Sequence, residues 1–306
     1  MVAERLDGVM NKAPSGKNAP KRKGGVRVRF WGVRGSIPTP GPTTVHYGGN
    51  TSCVEVRADG QIIILDAGTG LRLLGKELIA QCNGQPIELT LLITHTHWDH
   101  IQGLPFFLPV YRPQSHVRIL GYEGARHGLE VVLTGQMASP FFPVGLPEVP
   151  ATVQIEELKK RSFSIGPVRV RAFAAQHPGK CVGYRLFTSA GSIAFFPDNE
   201  TDPGKGRNKS MIEFLHGTDV LIMDTQFDAK EYQQHTGWGH GCVDAVVDLA
   251  LRAKVRTLVL FHHDPNHDDR TVSRMLAHAR KLVAQKKSGL KVLAAREGMS
   301  VALPVA

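Results

Sequence analysis

The sequence predicts an α/β fold in which buried strands alternate with helices. Two observations support this prediction. Runs such as QIIIL and LTLLI are continuously apolar, which is typical of strands covered on both faces of a sheet. Near the C-terminus, CVDAVVDLALRA instead repeats apolar residues at the spacing of a helix. Because a chain of 306 residues with 42% hydrophobic content can bury a large core, we expect one catalytic domain with a tail.

The first half of the chain has a strand, turn and helix pattern. Apolar and basic residues alternate in VRVRFWGV as in a half-buried strand, and TSCVEVRA repeats this before a turn at Asp59 and Gly60. The next run ends in DAGTG, whose small residues let the chain turn sharply into a helix. Residues 124–160 favour neither pattern. The predicted elements are strands within 26–33, 51–58 and 61–68, a helix at 71–80, and strands within 88–94 and 117–124.

The second half begins with strands and then alternates strand and helix. FSIGPVRVRAFAAQH and CVGYRLFT predict paired strands joined at Pro178, Gly179 and Lys180. Several of the later apolar strands end in an acid or a histidine. The remaining elements are strands at 192–198, 219–224 and 256–264, a helix at 242–253, a C-terminal helix, and a strand near 291–295.

The charge is distributed unevenly along the chain. Residues 1–25 hold six basic and two acidic side chains, so +4 of the net charge of +10 lies in a segment rich in Gly, Pro, Lys and Asn. Such a composition predicts a disordered basic tail, which would either contact nucleic acid or an acidic partner or simply aid solubility. The catalytic domain then spans 26–306. Its milder charge suits an anionic substrate without requiring a polymer.

Composition also bears on location. The sequence has no run of about 18 apolar residues and no apolar N-terminal stretch of the kind a secretory signal needs, so we expect a cytoplasmic protein without a membrane span. The four cysteines are widely scattered, which favours reduced thiols over a disulfide framework. They are Cys53, Cys82, Cys181 and Cys242.

The stretch THTHWDH places three histidines and an aspartate directly after an apolar strand. Residues two apart in an extended segment point to the same side, so His95 and His97 can converge on one ion. Asp99 and His100 follow where the chain turns toward a helix, and could face a second ion. Imidazole and carboxylate favour zinc or another first-row ion. We prefer this to the alternative of ordinary hydrogen-bonded side chains.

Four side chains cannot complete two coordination spheres, so further ligands must come from elsewhere. Candidates follow other apolar strands: His177 after VRVRAFAAQ, Asp198 after SIAFFP, and His262 or His263 after RTLVLF. Ligand sites in layered α/β proteins commonly lie at the carboxyl ends of strands.

These residues together resemble the metallo-beta-lactamase superfamily, over about residues 26 to 306. Its HxHxDH signature matches HTHWDH, and a single His, a single Asp and a late His follow in order. The resemblance implies a four-layer αββα sandwich with two metals at one edge. It implies that the first metal is bound by His95, His97 and His177, the second by Asp99, His100 and His262, and that Asp198 bridges them.

Asp66 in LDAGTG fits the acidic residue that this superfamily places behind its metals. There it would accept a hydrogen bond from a ligand histidine and fix its orientation. Alternatively, Asp66 could cap the turn that follows it.

The segment GWGHGC resembles the Gly-His-Ser-Thr segment of the phosphodiesterase branch, which includes ribonuclease Z and cyclic-phosphate phosphodiesterases. In that branch the histidine is taken to assist departure of the leaving oxygen, and His240 is its match here. Gly241 and Cys242 replace the Ser and Thr, so any hydroxyl contact is lost. The alternative is a histidine that caps or packs the helix.

Several other side chains have weaker signals. FWGVRGSIPTPGP also resembles the opening of phosphodiesterase-like members, and its Arg34 could contact a phosphate. Asp224, Asp264 and His267 are interpreted as supporting polar groups. Four phenylalanines are candidates for base stacking or, as the preferred alternative, for the core: Phe106, Phe107, Phe141 and Phe142.

We therefore expect a dinuclear phosphoric diester hydrolase with two ions, zinc or alternatively manganese, in which a metal-activated hydroxide attacks a small phosphodiester such as a cyclic nucleotide. His240, Asp99 and Asp66 would take part in catalysis. Ribonuclease Z is less favoured because its long basic arm would lie between His177 and Asp198, which are only 21 residues apart. Lactone or thioester hydrolysis and a non-enzymatic metal-containing sensor remain alternatives. A homodimer is compatible with the sequence, and nucleic-acid contact is expected only through the tail.

Overall fold

The computed structural model describes residues 25–122, 128–202 and 209–304, whose strands form two sheets of seven. The tail predicted at 1–25 lies outside these ranges except for Gly25. Within them, no helix is long and apolar enough to cross a membrane.

The first sheet has the order β14-β1-β2-β3-β4-β5-β6. Its strands pair antiparallel from β14 to β3 and parallel from β3 to β6. The bounds are β1 Val26–Gly32, β2 Cys53–Ala58, β3 Gln61–Leu65, β4 Ile87–Ile93, β5 Ser115–Gly121, β6 Thr152–Glu157 and β14 Ser300–Leu303.

The second sheet has the order β13-β12-β11-β10-β9-β8-β7. It repeats the mixed pattern of the first, antiparallel from β7 to β10 and parallel from β10 to β13. The bounds are β7 Ser162–Ile165, β8 Val168–Ala174, β9 Val182–Thr188, β10 Gly191–Phe196, β11 Val220–Asp224, β12 Thr257–Phe261 and β13 Lys291–Ala294.

Helices cover the outer face of each sheet, and three apolar clusters fill the spaces between layers. One cluster joins the inner faces of the two sheets, one lies under α1 and α3, and one lies under α4, α6 and α7. The structure is therefore the predicted four-layer αββα sandwich. The helices are α1 Gly70–Cys82, α2 Trp98–Ile101, α3 Leu129–Gly135, α4 Lys209–Leu215, α5 Ala229–Gln234, α6 Val243–Arg252 and α7 Asp269–Gln285.

The observed helices and strands agree with those predicted from the sequence, except for several short ones. The run 163–177 forms a hairpin of β7 and β8, because Gly166 adopts a left-handed conformation with φ of 52° and turns the chain. The ambiguous segment 124–160 contains α3 and β6 within its described part. The sequence pattern does not predict α4, α5 or the four-residue edge strand β14, because these elements have too few residues for a clear period.

Arg34 has a role other than the phosphate contact that its sequence position allowed. It is completely buried, and its guanidinium donates to three main-chain carbonyls: Nε to Gly48 at 2.8 Å, and Nη1 to Asp264 at 3.0 Å and His267 at 2.6 Å. Arg34 therefore does not reach a phosphate. It joins the loop after β1 to the loop after β12, and this junction supports the edge of the sandwich where the candidate site lies.

We predict that Arg34→Met lowers the free energy of unfolding by about 3 kcal/mol, because three buried carbonyls lose their donor. Urea unfolding followed by circular dichroism measures this change. Arg256→Ala is the control: Arg256 is exposed and its contact with Asp219 spans 3.5 Å, so its loss should cost less than about 0.5 kcal/mol. Equal losses in the two variants would contradict the structural role of Arg34.

Candidate metal centre

The parallel strands bring the predicted ligands to one edge of the two sheets. His95 and His97 follow β4, and Asp198 follows β10, while His177 comes from the turn between β8 and β9. Donor atoms of these four residues all lie within 4.8 Å of one another. His95 Nε2 is 3.1 Å and His177 Nε2 is 3.5 Å from Asp198 Oδ2, and His97 Nδ1 is 3.2 Å from His177 Nε2.

A second group of donors lies beside the first. Asp99 and His100 in α2 meet His262, the first residue after β12, with their donor atoms also within 4.8 Å. His262 Nε2 is 2.9 Å and His100 Nε2 is 3.3 Å from Asp198 Oδ1. Asp198 thus turns one carboxylate oxygen to each group, which is the position of a bridging ligand.

The donor atoms fit metal ions better than they fit each other. Among the side chains that the structure describes, three buried atoms of these groups have no hydrogen-bond partner: His95 Nε2, His100 Nε2 and Asp198 Oδ1. They lie near one another, but their angles do not suit a hydrogen bond. Buried polar atoms are rarely left unpaired, so lone pairs that converge on shared points favour cations there.

The charges at the site lead to the same conclusion. Burial opposes ionisation of Asp198, but the surrounding histidines outweigh burial and hold its pKa well below its usual range. Burial also opposes protonation of His262, yet Asp198 and Asp99 outweigh it and raise the pKa of His262 to about 10. By contrast, burial lowers the pKa of His177 to about 4. The carboxylates therefore require nearby positive charge, which bound cations would supply in place of protons.

Two of the ligand rings, those of His100 and His177, are held by the protein through their Nδ1 atoms, so their Nε2 atoms face the site. His100 Nδ1 is 2.7 Å from Asp66 Oδ2, and Asp66 also accepts from the amide and hydroxyl of Thr94. His177 Nδ1 donates to the Gly239 carbonyl at 3.1 Å. Asp66 has the position expected of a carboxylate behind the ligands, and it does not cap the following helix, whose N-cap is Thr69.

The structure places His262, and not His263, at the donor cluster. His262 Nδ1 donates to Gln226 Oε1 at 3.0 Å, and Gln226 Nε2 donates to Asp264 at 3.0 Å. His263 is buried away from the cluster: its ring contacts that of Tyr47, its Nε2 donates to the Ala295 carbonyl at 2.9 Å, and burial lowers its pKa to about 3. Sequence reasoning missed Gln226, because nothing in the stretch DTQFD marks it.

His240 lies beside the two donor groups. Its Nδ1 is 2.9 Å from Asp224 Oδ2, and its ring stacks on that of His262 with centroids 5.1 Å apart. Burial lowers the pKa of His240, but the charge and hydrogen bond of Asp224 outweigh burial and raise it. The second Asp224 oxygen accepts from the main-chain amide of Gln226, so both carboxylate oxygens have partners in the protein. Asp224 is thus the orienting partner of His240, which is a supporting role as expected from the sequence.

Glu200 fixes the loop that carries His240, and sequence reasoning also missed it. Its buried carboxylate accepts from the Gly237 amide at 2.9 Å, the Gly239 amide at 3.1 Å and the Tyr232 hydroxyl at 2.8 Å. Gly239 has a φ of 88°, and an added Cβ would lie 2.3 Å from His177 Nδ1. Only glycine lets this backbone come close enough for the Gly239 carbonyl to accept a hydrogen bond from His177. In the sequence GWGHG, the glycine directly before His240 is the signal for this close approach.

An open cleft of about 510 Å³ lies over the donor groups. The four phenylalanines considered for base stacking do not line it. Phe107 is buried beneath α1, and Phe142 is partly buried in the same cluster, as expected for core residues. The core interpretation is wrong for Phe106 and Phe141, whose side chains are exposed on the outer layer. The cleft is lined by Ser36, Thr96, His97, Trp98, Asp99, Asp198, His240 and His262.

A four-layer sandwich with histidines and carboxylates converging at one edge defines a metal-dependent hydrolase. The family model described as "Beta-lactamase superfamily domain" matches residues 61–263, and the chain belongs to this superfamily.

Similar proteins include a ribonuclease Z of Haloarcula marismortui, 24% identical over 90% of this chain and 96% of that protein. Among solved structures, YhfI from Bacillus subtilis, a metallo-beta-lactamase fold protein, aligns with a TM-score of 0.65 at 18% identity over 90% of this chain and 99% of its own. A diphosphatase from the PhnP family aligns with a TM-score of 0.63, also at 18% identity, over 92% and 99% of the two chains. These structural likenesses establish the fold.

We predict that Asp66→Asn weakens binding of the second metal ion by about 10- to 100-fold, because His100 loses the carboxylate that orients its ring. Competition with a chromogenic chelator measures the affinity. Asp59→Asn is the matched control, since Asp59 lies on the surface and contacts Ser189. Unchanged zinc affinity in Asp66→Asn would contradict the role given to Asp66.

Proposed function

We propose that the protein is a dinuclear phosphodiesterase that cleaves a small phosphodiester. The observation that carries this proposal is the His240 and Asp224 pair beside the donor groups. A ring that a carboxylate orients, and whose protonated form it favours, suits delivery of a proton to a leaving oxygen. It would do so within the same cleft that the donor groups face.

In the proposed centre, one ion would be held by His95, His97 and His177, and the other by Asp99, His100 and His262. Asp198 would contribute to both. Zinc is the best fit to imidazole and carboxylate donors, and manganese is an alternative. When bound, the two ions would supply an activated water and positive charge for the phosphoryl oxygens. Asp66, Gly239 and Gln226 would fix the ligand rings.

His240 would act on the leaving group. Its Nδ1 is occupied by Asp224, so Nε2 is the atom available to a substrate. Asp224 favours the protonated ring, and the stacking on His262 fixes the distance of Nε2 from the second donor group. The proton would pass from Nε2 to the departing oxygen. Asp224 would then keep the neutral imidazole ring in the same orientation.

A small substrate is supported by the segment between His177 and Asp198. It contains only the short hairpin of β9 and β10, and no arm for gripping a folded RNA. The diphosphatase of the PhnP family supports phosphate chemistry on this fold, by analogy. A tRNA-processing nuclease is a second candidate, favoured by the ribonuclease Z relative. Lactone or thioester hydrolysis is less favoured, because it gives His240 and Asp224 no task.

Hydrolysis of bis(p-nitrophenyl) phosphate tests the proposal. Protein stripped of metal should be inactive, and reloading with Zn²⁺ or Mn²⁺ should restore cleavage. We expect His240→Ala to lower kcat by about 10²- to 10⁴-fold with unchanged metal content, because the leaving oxygen loses its proton donor.

His278→Ala is the matched control, since His278 also pairs with an aspartate but lies on the exposed face of α7. It should retain full activity, and p-nitrophenyl acetate should remain intact. If fully metallated protein leaves the diester uncleaved, the proposed function is wrong.

A further inference from the structure

Trp98 differs from the other tryptophans in its surroundings. Its side chain is 78% exposed, although it lies between His97 and Asp99 and lines the cleft. Trp31 is buried and donates to Glu55, and Trp238 contacts the ring of His235 at 4.8 Å. Within the part of the chain that the structure describes, no aromatic or cationic side chain packs on the Trp98 ring. A large apolar surface left open at a cleft commonly binds a ligand.

The backbone that carries Trp98 is held on both sides. Asp99 Oδ2 accepts from the Ser36 amide at 2.9 Å, and the His100 amide donates to the His97 carbonyl at 3.0 Å. The indole can therefore change only its side-chain rotamer. Ile37, the neighbour in sequence of the cleft residue Ser36, is a second exposed apolar side chain. Because the backbone is already ordered, only the side-chain torsions of Trp98 lose freedom when a planar group stacks on the indole.

We propose that Trp98 is a stacking surface for the planar base of the substrate, which makes the preferred substrates nucleotide phosphodiesters. This inference rests on the proposed function. The donor groups would hold the phosphate. Trp98, which lies between the candidate ligands His97 and Asp99, would hold the attached base. Stacking on an aromatic ring accepts every base, so Trp98 would select nucleotides over other diesters without selecting one base.

The test compares two cyclic phosphodiesters, 2′,3′-cyclic AMP and glycerol 1,2-cyclic phosphate, of which only the first carries a base. For 2′,3′-cyclic AMP, we expect Trp98→Ala to raise KM about tenfold or more and to leave kcat within about twofold. Both constants for glycerol cyclic phosphate should stay unchanged. Trp98→Phe should recover most of the loss. Phe141→Ala, which removes an 81% exposed aromatic side chain that does not line the cleft, is the control and should behave as wild type.

Equal effects of Trp98→Ala on the two substrates, or none on either, would overturn the stacking role. A binding measurement separates this inference from the proposed function. In zinc-loaded protein, AMP should quench tryptophan fluorescence, ribose 5-phosphate should not, and Trp98→Phe should abolish the quenching. Quenching without cleavage of any diester would reject the phosphodiesterase and retain the base site. Cleavage without Trp98-dependent quenching would reject the base site alone.

Discussion

The arrangement of the site depends on one buried carboxylate, that of Asp198. One oxygen faces His95 and His177 and the other faces His100 and His262, at 2.9 to 3.5 Å. A buried carboxylate is costly unless positive charge compensates it. The histidines can supply this charge only by holding protons, and cations would supply it while leaving the rings neutral. The fold must therefore hold two donor groups at a fixed distance from a single side chain.

The sandwich meets this requirement by ending its parallel strands at one edge. Asp66 and His262 are each the first residue after a strand, and both adopt a left-handed conformation with φ of 60°. This conformation costs about 1 to 3 kcal/mol in residues other than glycine and is concentrated at functional sites. Here it turns two side chains toward the donor groups. Arg34, Asp66 and Glu200 then fix the loops through buried hydrogen bonds, so a rigid second set of contacts surrounds the donors.

The layers and the donor residues could be predicted because both have local signals. Apolar runs mark the strands, and the polar residues that follow them are placed at the edge by topology alone. Gln226 and Glu200 have no such signal, since each contributes through neighbours that are distant in sequence. The buried role of Arg34 could not be predicted for the same reason. A loop arginine suggests exposure, and only the packing of the loops after β1 and β12 buries it. To decide which of His262 and His263 belongs to the donor cluster, one must also know where each side chain points, and the sequence does not give this.

Anomalous diffraction from crystals of zinc-loaded protein would locate the metal ions. We expect two zinc peaks per chain, one within bonding distance of His95, His97 and His177, and the other within bonding distance of Asp99, His100 and His262. The Asp198 carboxylate should lie between the peaks. A single fully occupied peak, or zinc bound by His263 in place of His262, would contradict the arrangement proposed for the site.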